Sequence, residues 1–301
     1  MNDSALPTAT ATAAAPSATA PRRAARGAVR RAFHRVNRVG LASLAVLLFW
    51  LLAALLGPSL MSNGGSSLGD DAVFAPVSAA HWFGTDYLGR DVLARVVQGT
   101  RLTIGVALAA TLLASGCGTL LALLAAASGR WIDAVLSRAV DTLTSVPGKM
   151  FALIMVAAFG SSLPTLILTA GIIYLPGAYR IARSLAVNID AMDYVTVARA
   201  RGEGRLYIML HEILPNIVGP MLADLGLRFV YVVLLLASLS FLGLGVQPPA
   251  ADWGSLVREN IGALPVGGAA IIMPALSIAS LTIAVNLLID NLPWRSGHEA
   301  H

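Results

Sequence analysis

Long apolar runs separated by short polar intervals set the organisation of this chain. The runs cover residues 39–61, 102–128, 146–160, 163–179, 217–246 and 268–293. A hydrocarbon layer of about 30 Å needs about 20 helical residues at about 1.5 Å each. The third run is short by that measure, so its helix is expected to begin earlier, within 141–146. The pattern predicts an all-α polytopic membrane protein with six transmembrane helices. Two polar intervals stand out. Residues 62–101 form a loop after the first span. Residues 193–216 read as a helix, a turn at Gly202 and a second helix ending at Leu214-Pro215-Asn216. In the second interval Val195, Val197 and Ala198, then Leu206, Met209, Leu210 and Ile213, recur at helical spacing.

Composition agrees with a bilayer as the solvent. The 301 residues are 56% hydrophobic and 12% charged, with mean hydropathy +0.74, whereas a soluble domain carries about a quarter charged residues. The net charge of +5 does not point to nucleic acid, because 20 of the 21 basic residues are Arg and seven of them precede the first apolar run. That clustering is orientation charge. With the amino terminus inside, the inner segments hold 15 basic residues and the outer loops four, Arg90, Arg95, Arg101 and Arg258. Six spans with both termini cytoplasmic therefore fit the charge bias. Residues 1–38 read as a disordered, Arg-rich cytoplasmic tail, 39–293 as the membrane domain and 294–301 as a short cytoplasmic tail. The first run exceeds a signal-peptide apolar region and lacks a small-x-small cleavage site, so it is an uncleaved span. The single Cys117 excludes an intrachain disulfide.

Gly202 suits a sharp turn between helices, since glycine accepts positive φ without a Cβ clash. Pro215 needs no amide partner near the start of a span and can fix its entry angle. A short helix pair with one apolar face and a basic rim fits a groove on a soluble partner. The residues fit equally a loop helix lying on the bilayer surface. In the first loop, Asp86, Arg90 and Asp91 form either a solute or metal site, or a rigid turn bent at Gly84 and Gly89 with Arg90 paired to a carboxylate. The turn is the better reading, because two carboxylates without a third ligand make a poor metal site. In the fifth span Asp224 and Arg228 share a helix face. Ionisable residues in a span mark a functional hypothesis. The two readings are an internal pair that orients the span and a pair that satisfies itself against a neighbouring subunit. Lys149 is expected to snorkel to the interface, Pro176-Gly177 to kink or end the fourth span near Arg180, and Ser115, Gly116 and Gly118 to permit close helix packing. The histidines show no metal-ligand spacing.

Thr196, Val197, Ala198, Arg199, Gly202, Glu203, Arg205, Leu206, Leu214 and Pro215 resemble the EAA loop, the cytoplasmic coupling loop (190–216 here) of permease subunits in ATP-driven (ABC) importers. Ala198, Gly202, Leu214 and Pro215 hold that motif's spacing. Thr196 and Val197 stand in place of Glu and Ala, and Glu212 where an apolar residue is usual. Three further stretches resemble the permease of dipeptide, oligopeptide and nickel importers: 81–91 (HWFGTDYLGRD), 175–183 (LPGAYRIAR), and 240–249 (SFLGLGVQPP) followed by Asp252-Trp253-Gly254. The resemblance spans about residues 39–293 and implies a type I importer fold in the bacterial inner membrane. It implies a second homologous permease, two ATPase subunits and an extracytoplasmic solute-binding protein as partners, besides membrane lipid. No phosphate-binding loop, nucleophile elbow or metalloprotease helix is present in the chain, so it reads as a non-enzyme that binds no cofactor, with ATP and Mg on the ATPase chains. A secondary transporter or a membrane assembly protein are the other classes. The solute, whether peptide, nickel chelate or another molecule, is not encoded in these motifs.

Overall fold

The computed structural model describes residues 38–61, 72–266 and 268–291. The expected amino-terminal tail, residues 62–71 of the first loop and the carboxyl-terminal tail lie outside the described residues. Every regular element among the described residues is helical: α1 Arg38–Leu60, α2 Val92–Ser128, α3 Arg130–Leu143, α4 Gly148–Phe159, α5 Leu163–Asp190, α6 Asp193–Ala200, α7 Arg205–Phe241, α8 Trp253–Glu259, a 3-10 turn Ile261–Val266, and α9 Ala269–Asp290. Five of them (α1, α2, α5, α7 and α9) are long and apolar enough to cross a membrane, and the bent pair α3–α4 makes a sixth if it counts as one span.

Apolar side chains that face outward, such as Leu41, Leu48, Phe49 and Leu55 on α1, have no place in water. In lipid they need no cover, whereas every backbone amide does, and helices provide that cover internally. The helices pack around two apolar cores. One gathers Trp50, Val92, Val96, Val232, Leu236, Trp253 and Leu281 around the first half of α2. The other gathers Leu123, Ala125, Tyr179, Ala186, Val195, Met209 and Ile213 at its far end. Parallel helices α2 and α5 come close where side chains are small: a Cβ added at Gly118 would lie 2.7 Å from the Ala178 Cβ, while Gly116 faces open space.

The structure corrects several sequence boundaries. The third span does not begin within 141–146. The helix breaks at 144–147, and α3 and α4 meet at 76°. α4 has only 12 residues, about 18 Å of rise. α2 begins at Val92, capped by the Asp91 carboxylate on the Ala94 N–H (3.2 Å), so Arg95 and Arg101 ride on the helix and not in the loop. α5 does not end near Arg180 but runs through Pro176 to Asp190. The second helix of the 193–216 interval does not stop at Asn216 either. It continues as α7 through a π-helical stretch, Ile208–Ile213. Pro215 has no N–H, and its ring would press on the carbonyl four residues earlier in α geometry. The wider π turn just before it, with Leu214 N–H donating to the Met209 carbonyl, takes up the misfit.

Candidate coupling site

The 193–216 interval folds as a compact hook between α5 and α7. α6 ends in a Schellman cap: the Gly202 N–H donates to the Arg199 carbonyl (3.0 Å) and the Glu203 N–H to the Ala198 carbonyl (3.2 Å). Gly202 has φ 86°, and an added Cβ would meet nothing within 4 Å. Glycine is required there for backbone conformation, and the space beside it is open. Ala198 and Val195 are fully buried, with Ile208, Met209 and Ile213 across from them, in the core shared with the far end of α2 and with α5. Leu214 is half-buried against the same core.

The other expected residues face outward. Thr196, Arg199, Arg205 and Pro215 are exposed and Glu203 is half-buried. Val197 (56% exposed) and Leu206 (69%) are also exposed, which divides the single apolar face expected from spacing. Val195, Ala198, Met209 and Ile213 anchor the hook, while Val197, Leu206 and Leu210 remain uncovered. Three hydrogen bonds stiffen it. Arg199 donates to the Asp190 carboxylate at the end of α5, and the Asn216 amide donates to the Tyr194 hydroxyl (3.2 Å) and the Glu212 carbonyl (2.7 Å).

Within the spans, Asp224 and Arg228 form a buried bidentate pair, with Nη2 2.7 and 2.9 Å from the two carboxylate oxygens. Arg228 has a further partner within this chain: its Nη1 donates to the Tyr174 carbonyl on α5 (2.7 Å). The Pro176-Gly177 step and the charged pair, which are far apart in sequence, thus meet in one place. Helix α3 was not foreseen. It is strapped to α5 by the Arg183–Asp133 and Arg180–Asp141 ion pairs and by the Ser137–Tyr179 hydroxyl contact (2.8 Å).

At the opposite end of α2, the first loop is a rigid turn. Gly84 (φ 72°) would clash with the Ala75 carbonyl if it carried a Cβ, and Gly89 also has positive φ. Asp86 is fully buried and accepts from the Leu88 and Arg90 N–H groups (2.8 and 2.9 Å) and from Arg90 Nε (2.7 Å). Asp91 serves as the α2 cap. Arg90 and Arg95 both approach Glu259 at the end of α8 (3.8 and 3.5 Å), and Tyr87 N–H donates to buried Asn260 (3.1 Å). Among the described residues no cluster of His, Cys, Asp or Glu side chains is arranged to hold a metal ion. α8 is fastened by its own capping box at Asp252 and Ser255, by Ser240 Oγ on Asp252 (2.8 Å), and by Trp253, whose indole donates to the Val96 carbonyl (2.9 Å). Sequence reasoning missed Glu259 and Asn260. It also passed over the Asp252-x-x-Ser255 spacing, a local helix-start signal that was available. Burial holds the Asp252 carboxyl above the usual carboxylate range, against the Ser240 and Ser255 hydrogen bonds. Burial likewise raises Glu259, against the attraction of Arg95 and Arg90.

Comparison with known proteins places these features. Residues 118–295 match the family described as binding-protein-dependent transport system inner membrane component. The chain is 32% identical over 265 residues to the dipeptide transport system permease protein DppC of Alkalihalophilus pseudofirmus, covering 87% of each chain. It is 34% identical over 215 residues to the glutathione transport system permease protein GsiD of Pectobacterium atrosepticum, covering 71% of each. With DppC of Haemophilus influenzae it shares 29% identity over 266 residues, 86% of this chain and 90% of that one. The matched segment runs from the end of α2 through α5, the Gly202 hook and α7 to α9. The chain therefore belongs to the binding-protein-dependent transport system inner membrane components, as a multi-pass permease subunit of an ATP-binding-cassette importer.

Proposed function

We propose that this permease imports peptides, and that the Gly202 hook is where separate ATPase subunits drive it. The observation that carries this reading is the division of the hook: one set of apolar residues roots it in the helical bundle, while Val197, Leu206 and Leu210 stay exposed beside a basic rim of Arg199, Arg201 and Arg205. An apolar patch with a charged rim is the surface expected of a partner-docking site. In this reading both termini and the hook are cytoplasmic, as the arginine distribution favours. ATP and Mg bind the partner chains. The complete transporter holds a second homologous permease, two ATPase subunits and a solute-binding protein on the outer side.

ATP binding closes the ATPases and displaces α6. The spans then open outward to receive solute, and hydrolysis resets the inward-facing state. Such a cycle requires ATP and solute to bind the two states with different free energies. Peptide is the solute class named for the relatives, and nickel or another small solute is the alternative.

The test is affinity purification of this chain from its native membrane, followed by an ATPase assay with the binding protein and candidate peptides. Recovery of a second permease and ATPase subunits, with hydrolysis stimulated by peptide-loaded binding protein, supports the reading. Stimulation by a nickel chelate and not by peptides replaces the solute. Recovery of the chain alone, without ATPase partners, overturns the reading in favour of a secondary transporter.

A further inference from the structure

We infer that the Asp224–Arg228 pair is a mechanical joint: it locks α5 to α7, so that a displacement of α6 reaches both helices as one lever. The inference rests on the coupling role proposed for the hook. α6 hangs between the end of α5 at Asp190 and the start of α7 at Arg205. If those two arms slid past each other, a push on α6 would be absorbed between them. The joint lies well away from the hook, about 24 Å along α5 from Asp190 to Tyr174 at about 1.5 Å per residue.

Its geometry prevents sliding. Asp224, one turn before Arg228 on the same helix, takes Nε (3.1 Å) and Nη2 (2.9 and 2.7 Å) and so fixes the guanidinium plane. Nη1 is left to cross to α5, where it donates to the Tyr174 carbonyl (2.7 Å). The acceptor is backbone, so the bond reports the position of α5 and not of a side-chain rotamer. Gly177 keeps the approach open, because a Cβ there would lie 2.8 Å from Nη1. The connection is also reciprocal. Tyr174 on α5 donates its hydroxyl to the Tyr231 carbonyl on α7 (3.0 Å), and the two rings stack with centroids 6.5 Å apart. Each helix thus places a side chain on the other's backbone. Neither can translate or rotate without breaking both bonds.

Every polar atom of the pair already has a partner in this chain. Both Asp224 oxygens and all three Arg228 nitrogens are engaged, and both residues are buried. A charged pair kept inside a span calls for a functional reading, and one whose polar atoms all bond within the chain fits a positioning role.

The test uses the full transporter in lipid vesicles, in a Cys117→Ala background that carries Tyr174→Cys and Tyr231→Cys. A short bifunctional maleimide then replaces the tyrosine bridge by a covalent one. Solute-stimulated ATPase activity of the unmodified transporter is measured first, since its absence counts against the coupling role itself and not against the joint. With that activity present, the joint predicts efficient cross-linking in every nucleotide state and transport per ATP within twofold of the uncross-linked protein. Cross-linking in one nucleotide state only, no cross-linking at all, or transport per ATP reduced tenfold or more would each overturn it. A second arm removes the charges with Asp224→Leu and Arg228→Met. Transport per ATP should fall about tenfold at unchanged basal hydrolysis and recover on cross-linking. A purely structural role would not produce that recovery.

Discussion

The two ends of α2 treat their charges in opposite ways. At the first-loop end Asp86, Arg90, Arg95 and Asp252 are buried, and the Glu259 side chain is only 10% exposed. Two guanidiniums there face Asp86 and Glu259, and the loop is pinned to α8 through Asn260. At the hook end Arg199, Arg201 and Arg205 are exposed, and Val197, Leu206 and Leu210 remain uncovered. Both ends carry motifs with glycine at positive φ. Gly84 has a neighbour against its missing Cβ, whereas Gly202 has none. One end pairs its charges within this chain. The other is folded internally but leaves basic and apolar side chains exposed, as the docking role proposed for it requires.

The largest effect expected from this contrast is at Gly202. Because no described atom of this chain lies within 4 Å of a Cβ added there, Gly202→Trp should cost the isolated subunit little beyond the strain of positive φ, about 1 kcal/mol. Docking should lose about 3 kcal/mol or more. ATPase copurification should therefore collapse while the thermal midpoint of the subunit in detergent changes little. A large fall in the midpoint with normal copurification would reverse the roles of the two ends.

The intramembrane joint is of similar size. Replacing Arg228 alone with Met leaves the Asp224 carboxylate buried without its partner and should cost about 3–5 kcal/mol. Adding Asp224→Leu should restore most of that in thermal unfolding, a non-additivity that only coupled residues show. Asp86→Asn should cost the first loop about 2 kcal/mol, since two backbone N–H bonds are kept but Arg90 loses the nearer of its two carboxylate partners. Its measured effect should appear in unfolding and not in ATPase copurification.

The smallest effect is a pH dependence confined to the first-loop end. Asp252 and Glu259 hold their protons more tightly in the folded chain than in the unfolded one. Their contribution to stability is complete below the ordinary carboxylate range and is lost as pH rises through the raised native values. Stability should thus increase as pH falls through the raised native values toward the ordinary carboxylate range. Glu259→Gln should flatten part of that slope in thermal unfolding.

The spans and the hook were legible in the sequence because both depend on local pattern. Apolar runs marked every long helix, and the spacing from Ala198 through Gly202 to Leu214-Pro215 marked the hook. Helix ends were less legible, because polar residues ride on them. Arg95 belongs to α2 since Glu259 and the Pro249 carbonyl receive it, and nothing near Arg95 in sequence announces either. The hook merges with α7 because a π turn absorbs Pro215, where a proline rule alone predicts a stop. The break at 144–147 was hidden by a polar stretch that an extended third span would also explain. Asp224 and Arg228 were visible as an i,i+4 pair, but their acceptor is a backbone carbonyl on α5, and a carbonyl leaves no residue type to read.

The most direct measurement is a comparison of two single cysteines in the Cys117→Ala background, Val197→Cys in the hook and Val77→Cys in the first loop. The parent side chains are equally exposed, at 56% and 60%. Each would carry a photoactivatable cross-linker in native membranes. The account predicts that the hook position captures an ATPase subunit and the first-loop position does not. Capture of the ATPase from position 77, or only lipid from position 197, would contradict the assignment of the hook as the site where ATP-driven motion enters this permease.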